Sequence, residues 1–95
     1  MNKYEMMFIV RPDMEEADIK KTAEAMKKVL TDLKAKVIEE KAMGQKELAY
    51  EINKHTTGYY YLFVVEASKE AEQEFNRVAR INENLLRHLI VKVEE

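Results

Sequence analysis

The side chains able to do covalent or metal chemistry are few and badly placed for it. The sole serine, Ser68, precedes an acidic, helix-like run. There its hydroxyl suits capping of backbone N–H groups far better than attack on a substrate, and no histidine lies near it in sequence. His55 falls in a turn-like segment and His88 in a strand-like one, without the spacing of a metal-binding pair. The many carboxylates fall mainly on helix-like surfaces, where solvation and pairing with lysines one turn away account for them. Cysteine is absent, which excludes both a disulfide framework and a thiolate metal site. Arg11 could open an anion-binding turn, but Pro12 removes a backbone donor, Asp13 opposes an anion and no glycine opens the loop. No catalytic residue, metal, cofactor or small-molecule substrate is expected.

The arginines give a sharper signal. Arg77, Arg80 and Arg87 are three of the four in the chain, and between Asn76 and Val93 they join Lys92 against the single acid Glu83. The C-terminal third is therefore locally basic, although the formal net charge of the chain is -2. Arg77 and Arg80 lie on the helix side away from Phe75, and Arg87, just past the connecting loop, is expected to approach the same region. A guanidinium donates two parallel hydrogen bonds to a phosphate, so nucleic acid is one reading. Solvated cations favourable to a helix C-terminus are the other, and the residues alone fit both.

The elements that position these side chains follow from hydrophobic spacing. Tyr4, Met6, Phe8 and Val10 alternate with Glu5, Met7 and Ile9, a strand with apolar residues on both faces, and Pro12 ends it. Asp13 with Glu16 reads as a capping box, so a helix is expected from near Met14 to about Lys34, with Ile19, Ala23, Met26, Val29 or Leu30, and Leu33 on its apolar face. A long second strand is expected from Ala35 through Ile52, bent at Gly44. Leu48, Tyr50 and Ile52 alternate there with Ala49 and Glu51, so Leu48 and Ile52 are expected to be fold residues. Asn53 to Gly58 supplies turn chemistry for a long hairpin tip, and Tyr59–Ala67 makes a third strand, central and beside the first. Ser68 caps a second helix to about Asn82, with Ala71, Phe75, Val78 and Ala79 on its apolar stripe. Leu85–Val93 is the last strand, in which Leu86 and Ile90 compete with Leu89 and Val91 for the packed face.

The order β-α-β-β-α-β is an α+β, ferredoxin-like split βαβ arrangement. Right-handed crossovers place both helices on one face of a four-stranded antiparallel sheet and leave the other uncovered. With 95 residues the chain is expected to form a single domain over 1–95, large enough for one core. The apolar run Met6–Val10 is too short for a signal-peptide core or a membrane span, so a cytoplasmic protein without a membrane partner is expected. On the uncovered face Met7 and Ile9 would lie with Tyr60, Leu62 and Val64, a cluster suited to a protein partner.

Three stretches carry a family resemblance. Gly44-Gln-Lys-Glu-Leu-Ala-Tyr-Glu-Ile-Asn-Lys54, the opening Lys3–Glu16 and the close Phe75–Lys92 together resemble the bacterial small-subunit ribosomal protein six family, over nearly the whole chain. The chain departs from that pattern at Gln45 and Glu47, where relatives carry a denser basic cluster. The resemblance implies the same split βαβ fold and a non-enzymatic role in the small ribosomal subunit. It further implies binding to small-subunit ribosomal RNA together with ribosomal protein eighteen. Carried onto matching positions, the implied RNA contacts are Lys3, Lys46, Lys54, Arg80, Arg87 and Lys92. A small enzyme or ligand-binding regulatory domain on the same fold is the rival reading, because fold does not fix function. It would need a concave site with converging polar groups, and the sequence names none.

Overall fold

The strand-like runs pair into one sheet. In the computed structural model, which describes residues 2–93, the order is β1 (Asn2–Val10), α1 (Glu16–Asp32), β2 (Lys36–Ile52), β3 (His55–Ala67), α2 (Lys69–Ile81) and β4 (Leu85–Val93). The sheet runs β2-β3-β1-β4 with every neighbouring pair antiparallel. This is the expected split βαβ fold. The core lies between the sheet and the two helices, where Tyr4, Met6, Phe8 and Val10 of β1 meet Phe63 and Val65 of β3, Met26 and Leu30 of α1, and Phe75 of α2. Phe8 is at its centre. Its ring stacks on Tyr61 at 5.4 Å and meets Phe63 edge-on at 5.2 Å, both favourable geometries for aromatic pairs.

The helix ends show which local signals held. Ser68 caps α2 as its position implies: the Ala71 N–H donates to Ser68 Oγ at 3.2 Å. The capping box expected at Asp13 does not form, and α1 starts two residues late, with Glu15 at the cap and no side-chain cap bond. Asp13 is drawn elsewhere. Its carboxylate lies 3.7 Å from Arg11 Nε and 3.9 Å from His55 Nε2. At its other end α1 closes with Lys34 in the left-handed region at φ 64. The Lys34 and Ala35 N–H groups donate to Thr31 O and Leu30 O, the paired bonds of a Schellman ending.

The hairpin departs most from expectation. Instead of a long tip over Asn53–Gly58, Asn53 (φ 48) and Lys54 (φ 67) alone make the turn, Ile52 pairs with His55, and β3 begins four residues before Tyr59. Two successive positive φ values give the turn a twist that matches its flanking strands, which accounts for the compact tip. The bend at Gly44 is present, with φ 83 and a register shift from Ala42. A larger irregularity follows, because the stretch from Glu47 to Ile52 opposes only the shorter stretch from His55 to Thr57. The surplus chain on β2 bulges and carries Tyr50 to within 5.4 Å of the Arg87 guanidinium on β4, although β3 and β1 lie between those strands in the sheet. Leu48 and Ile52 lie on this arm, half-buried and outside the core, so their alternation marks a strand without marking core residues.

Two details let the arm approach. A Cβ on Gly58 would sit 2.4 Å from Ile9 Cγ2, so a residue without one is required. Across β1, the pairing steps from Ile9–Arg87 to Val10–Leu85 and leaves Leu86 as an extra residue. That bulge settles the register the sequence left open. Ile90 packs against the core, whereas Leu89 and Val91 fall on the opposite face.

Candidate functional site

The helix-free face of the sheet is built in rows. Register places Val64, Glu5 and Val91 side by side, then Leu62, Met7 and Leu89, then Tyr60, Ile9 and Arg87. Period-2 alternation puts all of these opposite the core residues of their own strands. The first two rows form an open apolar strip: Leu89 is 53% exposed and Val91 45%, with Met7, Leu62 and Val64 half-buried beside them. A hollow of about 270 Å³ runs along it, lined by Met7, Ile9, Leu89, Arg87 and His88. The third row is different. Ile9 is only 7% exposed, covered at the end where the hairpin arm curls over, so it supports that end and offers little surface.

Cations stand around this covered end. Lys46 Nζ lies 5.9 Å from the centre of the Tyr60 ring, and Arg87 lies over Tyr50, which is itself 56% exposed. Lys54 occupies the hairpin turn. Among the described residues none of Lys46, Lys54 and Arg87 makes an ion pair. Lys3 lies at the far end of the same face, in register with Glu66 and Val93.

The three arginines of the C-terminal third do not converge. Arg77 and Arg80 are on α2, on the helix side, while pairing with Ile9 puts Arg87 on the helix-free side. The extra residue Leu86 is the reason, since one inserted residue reverses the face of everything that follows. Arg77 donates to Glu74, whose carboxyl that bond holds below the usual carboxylate range. Arg80 is exposed in the last turn of α2, and Lys92, in register with Tyr4, is on the helix side of β4. Near Arg80, the His88 Nε2–H donates to Asn76 Oδ1 at 2.7 Å. Burial first, and the Arg80 charge second, push the His88 imidazole below its ordinary value.

Residues 3–92 match the family model described as Ribosomal protein S6. The chain belongs to that family. It is 45% identical over 95 residues to the small ribosomal subunit protein bS6 of Shouchella clausii (strain KSM-K16), covering 100% of both chains. It is 40% identical over 92 residues to the protein of the same name from Phytoplasma australiense, covering 97% of this chain and 99% of that one. Its fold superposes on the crystal structure of 30S ribosomal protein S6 from Thermotoga maritima with a TM-score of 0.92 at 27% identity, over 97% of this chain and 87% of that one. As a member of the ribosomal protein S6 family it is a structural, non-enzymatic component of the small ribosomal subunit, and the ribosome is its place in the cell.

A wide hollow opens near the start of α1. Asp13, Glu15 and Asp18 line it against Arg11 and Lys21, so acids outnumber cations there, which disfavours phosphate. Among the described residues no cluster of three or more His, Asp or Glu side chains could hold a metal ion, and no helix is long and apolar enough to cross a membrane. Among the residues that sequence reasoning did not single out as contacts, Leu89, Val91 and Tyr50 are large apolar or aromatic side chains exposed on or beside the helix-free face. The alternation of Leu89 and Val91 was visible, but the bulge at Leu86 decides their face. Tyr50 had only a packing signature.

Proposed function

We propose that this family member joins the small subunit by binding small-subunit ribosomal RNA together with ribosomal protein eighteen, using the helix-free face for the protein and the cations around it for the RNA. The observation that carries this reading is the exposed strip of Met7, Leu62, Val64, Leu89 and Val91, bordered by Lys46 and Arg87, which make no ion pair among the described residues. Exposed contiguous apolar surface of this kind costs solubility unless a partner covers it. Tyr60 and the nearly buried Ile9 support one end of the strip. Lys46 lies over Tyr60 and Arg87 over Tyr50 at that end, with Lys54 in the hairpin turn, whereas Lys3, Lys92 and Arg80 would reach RNA from separate sides.

Phosphate contacts would supply much of the affinity, with RNA shape contributing specificity. The net charge of -2 does not oppose this, because counterion release depends on the phosphates neutralised locally. The test is titration of a small-subunit ribosomal RNA junction fragment with the chain, with and without ribosomal protein eighteen, across a salt series. The expected result is tight, salt-sensitive binding that requires both proteins. Equal binding without the partner would remove the docking role, and no binding in either arm would remove the RNA role.

A further inference from the structure

We propose that the curled arm of the β2–β3 hairpin forms, with β4, a stacking site for an unpaired ribonucleotide, the base lying against Tyr50 and its phosphates meeting Arg87 and Lys46. This rests on the reading that the chain binds RNA and adds where, and through what chemistry, one nucleotide is held. The starting observation is that the surplus residues between Glu47 and Ile52 bring Tyr50 from an edge strand to Arg87 on β4, the opposite edge. The arrangement is held from below by Gly58 against Ile9.

Packing alone does not explain Tyr50. A packing tyrosine in this chain looks like Tyr4, which is buried, whereas Tyr50 is 56% exposed with Arg87 over its ring. A guanidinium held over a ring keeps its in-plane N–H groups free, and those groups match a phosphate. The second pair repeats the chemistry at the other end of the row, with Lys46 over Tyr60 and Ile9 between. Two aromatic rings, each with a cation that has no acidic partner among the described residues, make an aromatic and positively charged platform. On the helices, by contrast, Lys27 is neutralised by Glu40 at 2.9 Å and Arg77 by Glu74. Glu47 does not neutralise Lys46, because successive strand residues point to opposite faces. An acidic peptide would use the cations but leave the exposed ring unused. An unpaired base uses both, since every base offers a flat face to an aromatic ring and every nucleotide a phosphate to the cation.

The probe is a single-stranded oligoribonucleotide carrying 2-aminopurine, whose fluorescence falls when the base stacks, titrated into the full chain and its Tyr50→Leu, Tyr50→Phe and Arg87→Ala forms. The expected result is quenching by the unaltered chain and by Tyr50→Phe, with Tyr50→Leu weakening binding roughly five- to a hundredfold at an unchanged salt slope. Arg87→Ala should lower that slope by about one phosphate contact. Absence of quenching, or equal binding by Tyr50→Leu, would overturn the stacking site. Loss of cooperative unfolding in Tyr50→Leu would also overturn it, by making Tyr50 a packing residue. Weakened binding of ribosomal protein eighteen without RNA would overturn it in favour of a protein contact. The junction-RNA titration run in parallel shows whether the broader RNA reading stands when the stacking site does not.

Discussion

The two faces of the sheet carry residues of similar hydrophobicity and put them to different use. On the helix side Met6, Phe8, Phe63 and Val65 are fully buried against α1 and α2. On the other side Met7, Leu62 and Val64, their immediate neighbours along β1 and β3, have no helix above them and stay half-exposed. Apolar alternation therefore says that a residue belongs to a sheet face, and only the crossover topology says whether that face is core or surface. Within the helix-free face a second contrast appears: Ile9 is buried by the hairpin arm while Leu89, one row away, is not. Covering one end fixes the shape of what is left open.

The largest expected effect lies on the helix side. Phe8→Ala removes the ring that meets Tyr61, Phe63 and Phe75, and should cost about 3–5 kcal/mol in a urea unfolding series. A cost near that of a surface change would dissolve the distinction between faces. Next comes Gly58→Ala, which places a methyl group 2.4 Å from Ile9 Cγ2. Ile9 is nearly buried and stiff at its branched carbon, so the strand must give way, at about 1–3 kcal/mol. The same change should lift the arm and expose Ile9, which amide exchange along β1 and β3 would detect. A stabilised or neutral Gly58→Ala protein would mean that the arm does not bear on Ile9.

The smallest effect concerns His88. Its pKa is lowered in the folded chain by burial and by Arg80, so the unfolded chain binds the extra proton more readily. The folded state keeps its advantage above the ordinary value of 6.5 and loses it progressively as pH falls through the lowered folded value. His88→Gln should therefore flatten the decline in stability on acidification between neutral pH and the carboxylate range. An identical pH profile for the two proteins would show that His88 is not held neutral against Asn76.

Much of this architecture was legible in sequence because its signals are local. Pro12 ended β1, Ser68 capped α2 and Gly44 bent β2 through the chemistry of single residues. The start of α1 differs from expectation: Asp13 lies 3.7 Å from Arg11 Nε and 3.9 Å from His55 Nε2, the latter distant in sequence, and the helix begins at Glu16 with Glu15 at its cap. The hairpin tip is shorter than the turn-like composition of Thr56, Thr57 and Gly58 implies, because Thr57 and Gly58 pair with Glu47 and Lys46 of β2 and all three belong to β3. The joint location of Arg77, Arg80 and Arg87 failed for a related reason: one extra residue at Leu86 sends Arg87 to the other face. The stretch Leu48–Ile52 carried the family resemblance and a strand period, but its reach across the sheet is a tertiary property of a register mismatch, which no residue in it announces.

The division of labour between the two faces is tested most directly by Leu62→Asp, measured for unfolding free energy and for affinity toward ribosomal protein eighteen in the presence of the RNA junction fragment. Leu62 sits at the middle of the open strip, in register with Met7, and no helix covers it. Cooperative unfolding should remain, with stability within about 1 kcal/mol of the unaltered chain, while partner affinity falls at least about tenfold. A mutant that unfolds like Phe8→Ala while binding its partner unchanged would contradict the account.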